Sequence, residues 1–285
     1  MTELELVLGI GLAVSAVTLA LASRRPAPAR TVATRESQRE GMRLEVQNER
    51  RRIMEAIEKE RGSKVITLIH RREPWARQGD PEYITIEDTE HILREIHRTP
   101  KDQPLDLILH TPGGLALAAE MIALALHEHP AKVTVFVPFY AMSGGTLLAL
   151  AADECYMERF SVLGPLDPQI EGMPASSFRT VLEKKQIESV TDRTIMLSEI
   201  AARAVKNMKG FVRHLLHEKM DEVKAETIAE FLTGGYITHD TPLTFEVAKY
   251  LGCLVKEGVP SKVFDLFLTC DFGVCERPSL TYGPR

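Results

Sequence analysis

The sequence predicts an α/β domain with a mainly parallel sheet. Three observations predict it. Short apolar runs rich in β-branched residues alternate with longer apolar or amphipathic runs. Two Gly-Gly pairs, Gly113-Gly114 and Gly144-Gly145, stand 31 residues apart, each between a strand-like and a helix-like segment. Of the 285 residues 44% are hydrophobic and 26% charged, which supplies enough apolar mass for a core.

The elements follow in order. Glu36 to Arg61 reads as a charged helix whose apolar stripe (Met42, Leu44, Val46, Ile53, Met54, Ile57) is thin, so it packs on a partner or on the domain edge. Lys64–His70 is a strand, and Thr85–Arg98 an amphipathic helix with Ile86, Ile92, Leu93 and Ile96 on one face. Leu105–Thr111 is a second strand, Leu115–His129 a buried helix, Lys132–Pro138 a third strand, and Gly145–Ala152 another buried helix. Glu154–Gly164 gives a short strand and a turn, and Ser176–Leu232 is almost wholly helical and carries many charges. A last helix spans Thr244–Leu251, and Val263–Phe267 adds a strand. The domains are thus an anchor and basic linker (1–30), a charged helix (31–63), the α/β domain (64–258) and a tail (259–285).

The first segment rests on Leu6–Ser23, an 18-residue run without a charge. A membrane-crossing helix needs about 20 residues. Glu3 and Glu5 precede the run, and Arg24, Arg25, Arg30, Arg35 and Arg39 follow it. That asymmetry favours a single span with the body in the cytoplasm. The rival is a cleaved signal peptide with "ALAS" (Ala20–Ser23) as its cleavage site, but a basic leading region is missing.

A net charge of -5 does not suggest a nucleic-acid partner. Cys155, Cys253, Cys270 and Cys275 show no paired metal-ligand spacing. Cys270 and Cys275 could bridge or bind a metal, but two lone thiols near a tail are more often just that, so no metal is expected and the compartment stays open. No phosphate-binding or dinucleotide fingerprint is present, and no cofactor is expected.

Glycine between a strand and a helix lets the backbone turn sharply and present free N–H groups, which attract negative charge. Such a turn is a phosphate cradle or an oxyanion hole. The second needs a nucleophile nearby, and Ser143 stands at the mouth of the second turn, in A-M-S-G-G rather than G-x-S-x-G. Ser143 also suits a helix N-cap without chemistry.

"LHTPGG" (Leu109–Gly114), then "AMSGG" (Ala141–Gly145) and "GPLDPQ" (Gly164–Gln169) resemble the Clp protease proteolytic subunit and signal peptide peptidase A, which share the crotonase-like superfold. With "GGYITHDTPLTFEVAKYLG" (Gly234–Gly252) the set resembles the membrane-anchored serine dehydrogenase proteinase family, over about Lys64 to Leu254. The resemblance implies stacked ββα units behind an N-terminal transmembrane helix, and peptide hydrolysis through an acyl-enzyme. It makes Ser143 the nucleophile and the N–H groups of Gly114 and Gly144 the oxyanion donors. Where the Clp subunit has a histidine followed by an acid, this sequence has Asp167 and then His239, a Ser-Asp-His order. Different chain orders reach the same triad geometry. The resemblance also implies a homo-oligomer, with Ser176–Leu232 as its interface, acting on a peptide or protein.

Alternatives remain on the residues. Asp167 before Pro168 is also a turn signal. Asp240 is a second candidate acid, and it or His239 also fits the entry of the last helix. His110 reads as a strand-end residue lining the site. Signal peptide peptidase A uses a lysine base, and Lys184 and Lys185 lie in the matching helical region. A coenzyme-A enzyme of the same superfold, or a non-catalytic membrane scaffold serving a stomatin-like partner, needs no serine at 143.

Overall fold

The computed structural model describes residues 29–71, 73, 79 and 81–269. Leu6–Ser23, Cys270 and Cys275 lie outside the described residues. Among the described residues no helix is long and apolar enough to cross a membrane. The chain divides into two units, residues 1–48 and 49–285. The described part of the first is the leading portion of helix α1 (Ala29–Arg61), on which Met42 and Leu44 are exposed.

The second unit is built on a five-stranded sheet in the order β1-β2-β3-β5-β10: Lys64–Ile69, Leu105–His110, Val133–Val137, Glu154–Met157 and Val255–Glu257. Every pairing in it is parallel, from Lys64 opposite Leu105 at one edge to Val255 opposite Cys155 at the other. The helices between its strands are α2 (Ile86–Arg98), α3 (Ala116–His127) and α4 (Gly144–Ala151). Then come α5 (Ala175–Lys184), α6 (Asp192–Leu216), α7 (Glu222–Thr233), α8 (Phe245–Leu251) and α9 (Ser261–Leu268).

A strand sends successive side chains to opposite faces, so a strand between two helical layers is apolar on both. Leu105, Leu107 and Leu109 of β2 join Ile92, Ile122, Leu147, Val212 and Ile228 in the main core. Ile108 and Phe136 face the other way, onto Ile57, Val263, Leu266 and Phe267. The part of α1 that belongs to this unit, with Ile57, and helix α9 therefore cover one face of the sheet and the remaining core helices the other. The buried carboxylate of Asp106 points to the first layer. There it accepts from Arg61 Nε at 2.5 Å, from Arg61 Nη2 at 3.1 Å and from Ser63 Oγ at 2.6 Å, tying the end of α1 to β2.

One expectation is corrected here. Val263–Phe267 is helical, not a strand: Val263, Leu266 and Phe267 are buried while Ser261, Asp265 and Thr269 are less so, a spacing of three and four that suits a helix. This helix fills the second core, so the compact unit runs past residue 258. Ser176–Leu232 is almost wholly helical as expected, with a 3-10 turn at Ile187–Ser189 and a break after Leu216 between its helices.

A smaller sheet sits beside the large one and contains β4 (Tyr140–Ala141), β6 (Val162–Leu163) and β9 (Leu243–Thr244), in the order β4-β6-β9, and β7 (Gln169–Ile170) pairs with β8 (Met173–Pro174) as a two-stranded hairpin. Thr111 bridges to Ala141 at its edge. Strands β3 and β4 followed by α4 thus form one ββα unit, a large-sheet strand, a small-sheet strand and a helix.

Candidate active site

The small sheet brings distant parts of the chain to one edge. Strands β4 and β6 are parallel, so the chain leaves both at the same edge. Strand β9 runs antiparallel to β6, so the chain enters it from that edge. Ser143 lies two residues past β4, Asp167 four past β6, and His239 four before β9. Topology alone collects these residues, although they span nearly a hundred positions.

Ser143 is held in an unusual backbone conformation, φ 47° and ψ -120°. A non-glycine residue there costs about 1–3 kcal/mol and persists only where its surroundings over-determine it. Here they do. Met142 N–H donates to Thr111 O at 2.9 Å, Gly145 N–H to Met142 O at 2.8 Å and Thr146 N–H to Ser143 O at 2.8 Å. The Ser143 side chain makes no capping hydrogen bond, so it is an N-cap by position only, and it is half-buried at the surface.

The first Gly-Gly turn lies against the second. Gly113 has φ +101°, and a Cβ there would fall 2.7 Å from Ser143 Cβ and 3.1 Å from Gly144 N. Gly114 is pressed on Ile84, and a Cβ there would sit on the Ile84 backbone. Ile84 N–H donates to Gly113 O at 2.7 Å, and Leu115 N–H to Ile84 O at 2.9 Å. Among the described residues, neither the Gly114 nor the Gly144 N–H has an acceptor. Behind this turn Thr111 Oγ1 accepts from Gly113 N–H at 3.1 Å and bonds His70 Nδ1 at 2.8 Å.

Asp167 is 3% exposed, and its Oδ1 accepts from His239 Nδ1 at 2.7 Å. Gln169 Nε2 donates to its other oxygen at 2.7 Å. A carboxylate only accepts, so the proton sits on Nδ1 and leaves the Nε2 lone pair free. The bond to Asp167 raises the pKa of His239 above its ordinary value, against partial burial; the charges of Asp167 and Asp240 add to the rise. Two further bonds hold the edge together. Leu166 N–H donates to Leu232 O at 2.7 Å, and Thr146 Oγ1 accepts from Gly164 N–H at 2.8 Å.

The other candidates fall elsewhere. Asp240 is exposed, and a bond with Thr238 lowers its pKa. The N-cap of α8 is Thr244, not His239 or Asp240. Lys184 and Lys185 are exposed at the end of α5. His110 packs among aromatic rings, 4.2 Å from Tyr140, 5.2 Å from Phe267 and 5.7 Å from Phe139. Burial, with the charges of Arg71 and His70, pushes its pKa down to about 4. Cys155 and Cys253 are free, buried thiols, and burial pushes Cys253 up to about 11, which leaves it protonated. Among the described residues no group of side chains is arranged to hold a metal ion. Gln169 and Ile84 had no expected role. Gln169 lies inside the "GPLDPQ" motif, whereas Ile84 acts through its backbone and leaves no signature.

A model of the ClpP-like SDH-type serine proteinase family matches residues 38–285. Two proteins of Methanocaldococcus jannaschii are close in sequence. Uncharacterized protein MJ1495 is 50% identical over 237 residues, covering 82% of this chain and 81% of its own. Uncharacterized protein MJ0137 is 46% identical over 242 residues, covering 84% and 85%. Among solved structures, a variant of the 1510-N membrane-bound stomatin-specific protease aligns with TM-score 0.43 at 21% identity, over 65% of this chain and 79% of its own. A ClpP1 variant from Listeria monocytogenes aligns with TM-score 0.44 at 13% identity, over 70% and 94%. On the family match and the sequence relatives, the chain belongs to the ClpP-like SDH-type serine proteinases and is a serine peptidase.

Proposed function

We propose that this peptidase works through a Ser143, Asp167, His239 triad with an oxyanion hole formed by the N–H groups of Gly114 and Gly144. The observation that carries the reading is the Asp167–His239 bond, made at the sheet edge where the Ser143 turn emerges. Asp167 holds the imidazole with Nε2 as the base. In the reaction Ser143 Oγ attacks the peptide carbonyl carbon while Nε2 takes its proton. The carbonyl oxygen gains the negative charge, and the two unpaired N–H groups receive it. Collapse of the tetrahedral species breaks the C–N bond, and Nε2 returns the proton to the departing amine. Water then repeats the sequence on the acyl-enzyme. Among the described residues no hydrogen bond joins Ser143 to His239. In resting enzymes such contacts are often long and tighten when substrate binds.

The reading extends to the setting. Leu6–Ser23 anchors the chain as a single span, and the basic residues after it keep the body in the cytoplasm. The chain assembles with copies of itself through α6, which exposes Met196 (65%) and Ile200 (50%) one turn apart. The triad is tested by a fluorophosphonate probe, which labels an activated serine. The parent chain should be labelled at Ser143, and Ser143→Ala and His239→Ala should not. Equal labelling of His239→Ala would remove the histidine from the reaction.

A further inference from the structure

The serine helix has a charged tie at its other end. Lys219 follows α6, and its Nζ donates to Leu150 O at 2.9 Å, Ala151 O at 2.6 Å and Ala152 O at 2.7 Å. These carbonyls belong to the last residues of α4 and its C-cap. A helix leaves its final carbonyls unpaired and its C-terminal end partially negative. An ammonium has three N–H groups and a charge, so it answers both needs at once. The backbone of Lys219 is itself anchored, its N–H donating to Leu216 O at 2.9 Å.

Helix α4 has eight residues, all buried and none charged, so it has no ionic tie of its own. At 1.5 Å per residue it is about 12 Å long. Its first turn carries Ser143 and the Gly144 N–H, and Lys219 grips its last. That length also takes Lys219 out of reach of Ser143 as a proton acceptor.

We propose that Lys219 is a positioning residue for the oxyanion site. Its ammonium, locked on three carbonyls, fixes α4 along its axis and so sets where the Gly144 N–H meets the reacting carbonyl. The proposal rests on the assignment of Ser143 and Gly144 above.

Geometry makes the role sensitive to protonation. A neutral amine has two N–H groups and no charge, so it cannot hold three carbonyls. Burial pulls the pKa of Lys219 down to about 8, and the charge of Asp153 opposes the fall. The charged groups around it are Asp153 after α4 and His127 at the end of α3, and His214 and Glu218 near the end of α6 act in turn on His127. Asp153 is engaged by Val133 N–H at 2.7 Å, and the His127 and His214 rings are 5.2 Å apart. Burial, then the charges of Lys219 and His214, lower the pKa of His127, while Glu218 and Glu128 oppose. His127 therefore loses its proton at lower pH than Lys219.

The test measures the second-order rate of Ser143 labelling by a fluorophosphonate from pH 6 to 10 in the full chain. Circular dichroism checks the fold at each pH. The parent should lose rate on an alkaline limb near pH 8. Lys219→Arg, whose guanidinium stays charged, should keep its rate through pH 9.5. Lys219→Met should label about tenfold more slowly at pH 7, the size of effect of about 1.4 kcal/mol in a barrier, and should show no such limb. Should either variant fail to fold, the other and the parent's pH series decide the matter. An unchanged limb in Lys219→Arg, or a flat parent profile between pH 7.5 and 9.5 with the fold intact, overturns the proposal alone. No labelling of the parent at any pH overturns the serine assignment and this inference with it.

Discussion

Asp167 and His239 are 72 residues apart in the chain, yet His239 Nδ1 donates to Asp167 Oδ1 at 2.7 Å. The contact exists because β6 and β9 are antiparallel neighbours, so the exit of one strand faces the entry of the other. It fixes a tautomer, and the tautomer fixes which nitrogen can act as the base.

That bond sets a pH dependence. Its effect on His239 is a raised pKa. The base works only as neutral imidazole, so activity should climb with pH on a limb centred above the ordinary histidine value of about 6.5. Asp167→Asn cannot hold the same tautomer and should lower kcat/KM by roughly 10³-fold or more. Linkage gives the sign for stability. A raised folded-state pKa adds stability that is full below the unfolded value and is lost as pH rises through the folded one. The parent should therefore melt slightly higher at pH 6 than at pH 8 on this account, and Asp167→Asn should lose that difference. A parent limb at or below that of free imidazole would separate His239 from the reaction.

The meeting of the two Gly-Gly turns gives a steric test. A Cβ at Gly113 would crowd Ser143 Cβ and the Gly144 N–H, in a backbone conformation that side chains rarely adopt. Gly113→Ala should reduce turnover on the order of a hundredfold, comparable to losing an oxyanion donor. Gly62→Ala is the control: Gly62 has φ +66° with nothing within 4 Å, so it carries strain without crowding the site. Its activity should match the parent. Equal losses in the two variants would mean that general destabilisation, not the site, is being read.

Lys184 and Lys185 test the rival base. Both are exposed. A lysine that activates serine must be desolvated to be neutral near pH 7. The double variant Lys184→Ala, Lys185→Ala should keep kcat/KM within a few-fold of the parent. A dead double variant beside an active His239→Ala would establish a Ser-Lys dyad instead.

The parts of this site that depend on side-chain type were legible in the sequence. Glycine before an apolar run marked both turns, and Ser143, Asp167 and His239 stood in recognisable surroundings. Parts that depend on backbone partners were not. Ile84 pairs with the Gly113-Gly114 turn through its N–H and C=O, which any residue carries. Lys219 reaches three carbonyls at the end of α4 from a charged stretch in which nothing in the sequence singles it out. In the fold, four strands of the large sheet were visible as short apolar runs, whereas the fifth, Val255–Glu257, is three residues long with two charges and gave no such signal. The segment Val263–Phe267 is short and apolar, and periodicity cannot separate a strand from a helix over so few residues. Its packing against Ile57 and Phe136 decides the matter.

The exposed face of α6 bears on assembly. Burying Met196 and Ile200 between copies would stabilise an oligomer by removing apolar surface from water, about 25 cal/mol per Å². Met196→Glu with Ile200→Glu places charges there and should reduce the particle mass measured by light scattering. Both side chains are exposed in the single chain, so its melting temperature should hardly move. An unchanged mass would move the interface away from α6.

The anchor is tested by removing residues 1–28, which ends the deletion where α1 begins. Leu6–Ser23 carries no charge, while the remaining chain holds the family match from residue 38 onward. The full chain should stay in the membrane fraction after a carbonate wash, and the shortened chain should appear in the soluble fraction with labelling at Ser143 intact. The site is built from the small sheet and α4, so it does not need the deleted segment for its geometry. Retention of the shortened chain on membranes would assign attachment to another surface. A mature chain beginning near Ser23 would show instead that the segment is a cleaved signal, and would place the peptidase on the opposite side of the membrane.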